Sequence, residues 1–126
     1  MTQSNYLYQA YFAAQDRFAN THSLSGFEPD VIYDYIQSAH ALAFYYEPQS
    51  KHENCLLCEL FLRQVYFHLL DAIQDPQRSR TFRRVCLDSI HAPLLALKRY
   101  YAYHNNGDIQ FLNLKHQLLR IQAPFD

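Results

Sequence analysis

The stretch from Lys51 to Gln74, KHENCLLCELFLRQVYFHLLDAIQ, constrains this chain more than any other. It opens on Ser50-Lys51-His52-Glu53, a Ser-x-x-Glu pattern in which hydroxyl and carboxylate can each satisfy a free amide of a helix's first turn. It closes at Asp75-Pro76, where proline cannot supply the next hydrogen bond of the ladder. In between, Leu56, Leu57, Leu60, Phe61, Leu62, Val65, Tyr66, Phe67, Leu69, Leu70, Ala72 and Ile73 leave no wide polar stripe at a period of 3.6. A helix that is apolar nearly all round needs neighbours on most of its sides. We therefore expect an all-α, compact five-helix bundle with this central apolar helix, about 51–74, as its hub.

The flanking segments supply the neighbours. Leu7, Tyr11, Ala14 and Phe18 form one face of a helix over about Ser4 to Asn20, widened by Tyr8, Phe12 and Ala19. Loop chemistry follows at Thr21–Gly26. A second helix starts near Pro29 with Glu28 and Asp30 at its positive end, buries Val31, Ile32, Tyr35, Ile36, Ala39, Leu42, Ala43 and Tyr46, and stops at Pro48. After the hub, Asp75-Pro76 reads as a cap and first helical residue. The fourth helix carries Phe82, Val85, Cys86, Leu87 and Ile90, is kinked or broken near Pro93, and continues through Leu94, Leu97, Tyr100 and Tyr101 to a stop at Asn105-Asn106-Gly107. A last helix, capped by Asp108 and ended by Pro124, is expected to bury Ile109, Leu112 and Leu119, with Phe111, Leu114, Leu118 and Ile121 joining less regularly.

At 126 residues there is room for one domain, 1–126, with a core that needs neither metal nor disulfide. The hydrophobic share of 49% with 18% charged residues describes a folded chain, and 16% aromatics leave apolar area to spare for a partner. A net charge of −1 argues against coating DNA by bulk charge. No uncharged apolar run is long enough to span a membrane, and the start lacks the basic-then-apolar pattern of a secretory signal. Three cysteines, an odd number, point to free thiols and a reducing, cytoplasmic setting.

Four sets of side chains could carry chemistry. His52, Cys55 and Cys58, with Cys86 and His91, sketch a zinc pattern and hence a metal-binding bundle. In an antiparallel hairpin turning at Pro76, however, Cys58 and Cys86 are out of register by roughly 12 Å along the axis. We expect no metal and no cofactor. Four tyrosine clusters include Tyr45/Tyr46 and Tyr100/Tyr101/Tyr103; neighbours on a helix point about 100° apart, so one of each adjacent pair is expected at the surface, where a ring can meet a protein partner. Arg78, Arg80, Arg83 and Arg84 crowd seven residues with no acid among them, a patch for phosphate, RNA or an acidic protein.

The fourth set pairs arginine with histidine. Arg17…His22, Arg63…His68, Arg84…His91 and Arg99…His104 have a spacing similar to the Arg-x(4–6)-His of the HEPN family of small helical ribonucleases. That resemblance implies an arginine that holds phosphate and a histidine that moves a proton from a ribose hydroxyl. Arg63 and His68, on the hub, are the best placed. The resemblance stops at this spacing. The sequence reading is therefore a small non-enzymatic interaction protein, an adaptor, regulator or inhibitor, acting through an aromatic helix surface as a homodimer or on a larger partner. A HEPN-like ribonuclease or RNA-binding domain is the alternative.

Overall fold

The computed structural model describes residues 3–20 and 28–122. The loop expected at 21–26, His22 and the stop at Pro124 lie outside them. Among the described residues six helices follow one another: α1 (Gln3–Ala19), α2 (Glu28–Tyr45), α3 (Cys55–Gln74), α4 (Arg80–Ser89), α5 (His91–Tyr101) and α6 (Gly107–Gln122). One core of buried side chains runs through all six. No described helix is long and apolar enough to cross a membrane.

The hub is α3, which packs against α2, α4, α5 and α6. The Tyr11 ring of α1 reaches it through Phe61, edge to face at 5.2 Å. Of residues 56–70 only Leu56 and Leu60 are exposed. Val65, Tyr66, Leu69 and Ile73 are wholly buried, and each such aliphatic side chain contributes about 1.5–3 kcal/mol by leaving water.

The hub begins one turn later than the Ser50–Glu53 pattern predicts. Asn54 is the cap, its side-chain oxygen accepting from the Leu57 amide at 3.2 Å. Ser50 instead donates its hydroxyl to the Tyr45 carbonyl at 3.2 Å. Residues 46–54 double back as turns, with Gln49 in the left-handed region at φ 70° and the Asn54 amide on the Tyr46 carbonyl at 2.9 Å. That closure uses up the segment that the capping box would have wound into helix. A similar shift occurs after Gln74. Asp75 ends α3 and accepts from the Gln77 amide at 2.9 Å, while Ser79, accepting from the Phe82 amide at 3.0 Å, starts α4.

The break near Pro93 divides the fourth helix into α4 and α5 at Ile90. Proline has no amide hydrogen for the carbonyl four residues back, and its ring crowds that carbonyl. Four back from Pro93 is Ser89, the last residue of α4, so the break falls where the missing bond would have been.

Of the two sets expected to bury the last helix, the second does so and the first does not. Leu114, Leu118 and Ile121 are buried and Phe111 is half-buried, whereas Ile109, Leu112 and Leu119 are 55%, 50% and 52% exposed. Two structural ties set this orientation. The Tyr66 hydroxyl donates to the Leu114 carbonyl at 2.6 Å. Gly107 sits against the end of α5, where a Cβ would overlap the Tyr101 carbonyl oxygen. In α1, Phe12 and Ala19 also lie outside the core, Phe12 at 53% exposure.

Candidate functional site

Three places gather polar or unpartnered apolar groups: a seam between α1, α2 and α3, the arginine corner before α4, and the groove between α5 and α6.

The seam joins the phenols of Tyr11 and Tyr35. Tyr11 donates to the Gln64 side-chain oxygen. The Gln15 amide donates to both phenol oxygens at 3.4 Å. Tyr35 lies 2.5 Å from His68 Nδ1. Gln15 donates through its nitrogen, and the Tyr35 hydroxyl and His68 Nδ1 share one hydrogen bond. Burial keeps His68 below the ordinary histidine pKa, with Asp71 pulling the other way. Burial likewise pushes the phenols of Tyr11 and Tyr35 up. The seam is neutral.

His68 also borders an open cleft of about 430 Å³ lined by Asp16, Asp71, Asp75 and Arg78 among others. The arginine expected to work with it points elsewhere. Arg63 donates to the Tyr101 hydroxyl at 3.0 Å, stands 3.9 Å from Glu59 and lies over the Phe67 ring. Five residues apart on a helix is about 140° of rotation, so Arg63 turns to α5 and His68 to α1 and α2. A phosphodiester entering the cleft would meet three carboxylates. Among the other Arg/His pairs, Arg84 stands 3.9 Å from Asp88, and His104 stacks on Tyr100 with ring centroids 4.3 Å apart.

The arginine corner is occupied by the fold itself. Arg78 donates to the Phe18 carbonyl at 2.5 Å and lies over the rings of Phe82 (4.3 Å) and Phe18 (5.4 Å). Arg83 donates to the Ile73 carbonyl at 2.8 Å. Phe18 and Ile73 stand in the last turns of α1 and α3, where carbonyls lack helical donors and the dipole favours a cation. Arg80 and Arg84 are exposed.

The tyrosines are mostly inside. Tyr100 and Tyr101 are 6% and 2% exposed, contrary to the expectation that one would be at the surface. Both reach the start of α3. Tyr100 donates to the Cys55 carbonyl at 3.0 Å and Tyr101 to Glu59 at 2.5 Å. The two rings meet edge to face at 5.2 Å and straddle the first turns of the hub, a seam wide enough for both. Burial raises the Tyr100 pKa and pushes that of Tyr101 up to about 12. Tyr45 and Tyr46 are half-buried, the first stacked on His52 at 4.4 Å, the second bonded to the Tyr8 hydroxyl at 2.9 Å. Of the five tyrosines expected to meet a partner only Tyr103 stands well out, at 77%.

None of the three cysteines is in a disulfide; Cys58 and Cys86 are buried, and burial pushes the Cys58 thiol up to about 12. Among the described residues no three His, Cys, Asp or Glu side chains come together to hold a metal ion.

The groove between α5 and α6, about 450 Å³, is lined by His91, Leu94, Leu95, Lys98, Phe111, Lys115, Leu118 and Leu119. Leu94 and Leu118 form its buried floor, and Leu95 and Leu119 stand half-exposed on its walls. The Lys98 ammonium lies 6.0 Å from the Phe111 ring centroid. Leu112 shares the face of Leu119, two turns away, and Ile109 extends it. The sequence contained the signal for this surface. Phe111, Leu114, Leu118 and Ile121 repeat at i, i+3, i+7 and i+10, and so do Ile109, Leu112, His116 and Leu119. The two stripes are offset by two residues, about 200°, and thus lie on opposite sides. The described chain covers one.

Comparison with family models, with curated proteins and with solved structures gives no match for this chain.

Proposed function

We propose that this protein is a small, non-enzymatic binding module that docks another protein on the leucine-lined face of α5 and α6. One observation carries the reading: besides its buried apolar stripe α6 has a second one, interrupted by His116, whose Ile109, Leu112 and Leu119 stand about half-exposed. An apolar face of this kind, rimmed by polar groups, is the usual mark of an interaction site. Of the tyrosines, first candidates for that role, Tyr45, Tyr46, Tyr100 and Tyr101 bond or stack within the chain, so the docking surface moves to the leucines. Three cysteines outside any disulfide, two of them buried, suit a cytoplasmic setting.

The ribonuclease alternative draws less support, because Arg63 and His68 bond to different neighbours and the cleft beside His68 is lined by Asp16, Asp71 and Asp75. The deciding experiment compares cross-linked complexes formed in the native host by the unaltered chain, by a Leu112→Glu/Leu119→Glu chain and by an Arg63→Ala/His68→Ala chain. The leucine variant is expected to keep its thermal midpoint and lose the complex; the Arg/His variant is expected to keep it. A complex retained by the leucine variant, or RNA cleavage abolished by the second, would overturn the proposal.

A further inference from the structure

Building on that reading, we infer that the α5–α6 groove receives an amphipathic helix of a different protein, with an apolar ridge flanked by acidic side chains.

Shape selects the helix. The backbone amides and carbonyls of α5 and α6 are engaged in their own ladders, so an extended peptide finds no strand edge to join. What the groove offers is side chains: a floor of Leu94 and Leu118, walls of Leu95 and Leu119, and the Phe111 ring. Ridges spaced at i, i+3 or i+4 and i+7 fit such a channel. α5 runs 11 residues and α6 runs 16. At 1.5 Å per residue the shared length is about 16 Å, three turns of an incoming helix.

Charge selects the flanks. Every ionisable side chain lining the groove, His91, Lys98 and Lys115, is a base. Across residues 91–122 Lys98, Arg99, Lys115 and Arg120 face a single acid, Asp108, in a chain whose net charge is −1. Among the described residues neither Lys98 nor Lys115 forms an ion pair with a carboxylate. Acidic residues beside the incoming ridge would meet these ammonium groups at the rim, where opposite charges speed encounter and set register.

The same charges disfavour a second copy of this chain. A two-fold dimer sets one patch against itself, which would bring together two rims that both carry Lys98 and Lys115. The acids of this chain that cluster at a cleft, Asp16, Asp71 and Asp75, lie between α1 and α3. They could reach the groove of another copy only head to tail, an arrangement that does not close at two.

The test uses the full chain and three fluorescein-labelled, helix-stapled peptides of equal length. One has leucines at i, i+3 and i+7 flanked by glutamates, one has lysines for the glutamates, and one has serines for the leucines. Fluorescence anisotropy is expected to show the glutamate peptide binding at least tenfold tighter than either other, and weakening as salt is added. A Lys98→Glu/Lys115→Glu chain is expected to reverse the preference, and amide shifts on binding to fall within 91–98 and 109–119. Equal affinity for the lysine peptide, or shifts elsewhere, would overturn the inference, as would a labelled single-stranded RNA binding as tightly as the glutamate peptide. The native-host complex separates the two levels. If Leu112→Glu/Leu119→Glu abolishes it and the lysine reversal does not, docking stands and the acidic helix falls; if neither abolishes it, both fall. A dimer seen by light scattering and split by Leu112→Glu also keeps docking and overturns the foreign helix.

Discussion

α3 and α6 both carry apolar side chains around most of their circumference, yet they meet different fates. α3 packs on α2, α4, α5 and α6, meets α1 through Phe61 and Gln64, and over residues 56–70 exposes only Leu56 and Leu60. α6 packs on α5 and, less extensively, on α3, and keeps one of its two apolar stripes outside. The difference teaches that apolar periodicity states how many faces want cover, while the count of neighbours decides how many receive it. In a hub the two numbers match. In α6 they do not, and the surplus stripe is where a partner has most to gain.

The contrast can be broken by experiment. Leu69→Ala, at a wholly buried site of α3, should cost about 2–5 kcal/mol of unfolding free energy in urea; a cost below about 1 would mean that the hub is looser than its burial implies. Next in size is Gly107→Ala, which pushes a methyl group onto the Tyr101 carbonyl and is expected to cost about 1–3 kcal/mol by prising α6 from α5. Asn54→Ala removes the α3 cap for about 1 kcal/mol. Ser50→Ala, beside it, should cost less, and the reverse order would return the helix start to the Ser50–Glu53 box. A pH titration of stability tests the seam on the hub. Folded His68 and His40 are held by burial below the ordinary histidine value of 6.5, so the unfolded chain binds the proton first. Stability should therefore fall as pH drops through 6.5, and His68→Gln should flatten the slope; a rise in stability on acidification would contradict the buried, neutral imidazole. The smallest effect is expected at Leu112→Glu, within about 0.5 kcal/mol, since the side chain already faces water.

Much of the fold was legible in the residues. The hub could be read from its continuous apolar surface, its end from Asp75-Pro76, and the break before Pro93 from a missing donor. What escaped was settled by contacts between distant residues. Ser50 and Asn54 are both good caps, and the choice fell to Asn54 because residues 46–54 fold back on the end of α2. The two stripes of α6 are equally periodic, and Tyr66 with Gly107 decided between them. Tyr100 and Tyr101 diverge on their helix, yet both are buried because they converge on one neighbour from two sides. Of the proposed groove, the leucines were visible in the sequence; that Lys98 and Lys115 rim it depended on the α5–α6 pairing.

The arginines at the start of α4 show how a formal charge can be withdrawn from the outer electric field. Arg78 clasps the end of α1 between two phenyl rings, and Arg83 clasps the end of α3. Both grips end on a backbone carbonyl, and that of Arg78 adds ring contact, so they depend on short-range bonding more than on distant charge. The junction of three helices should hold in brine much as it does in dilute buffer, and lysine, which lacks a flat forked head, would keep the charge while loosening the clasp.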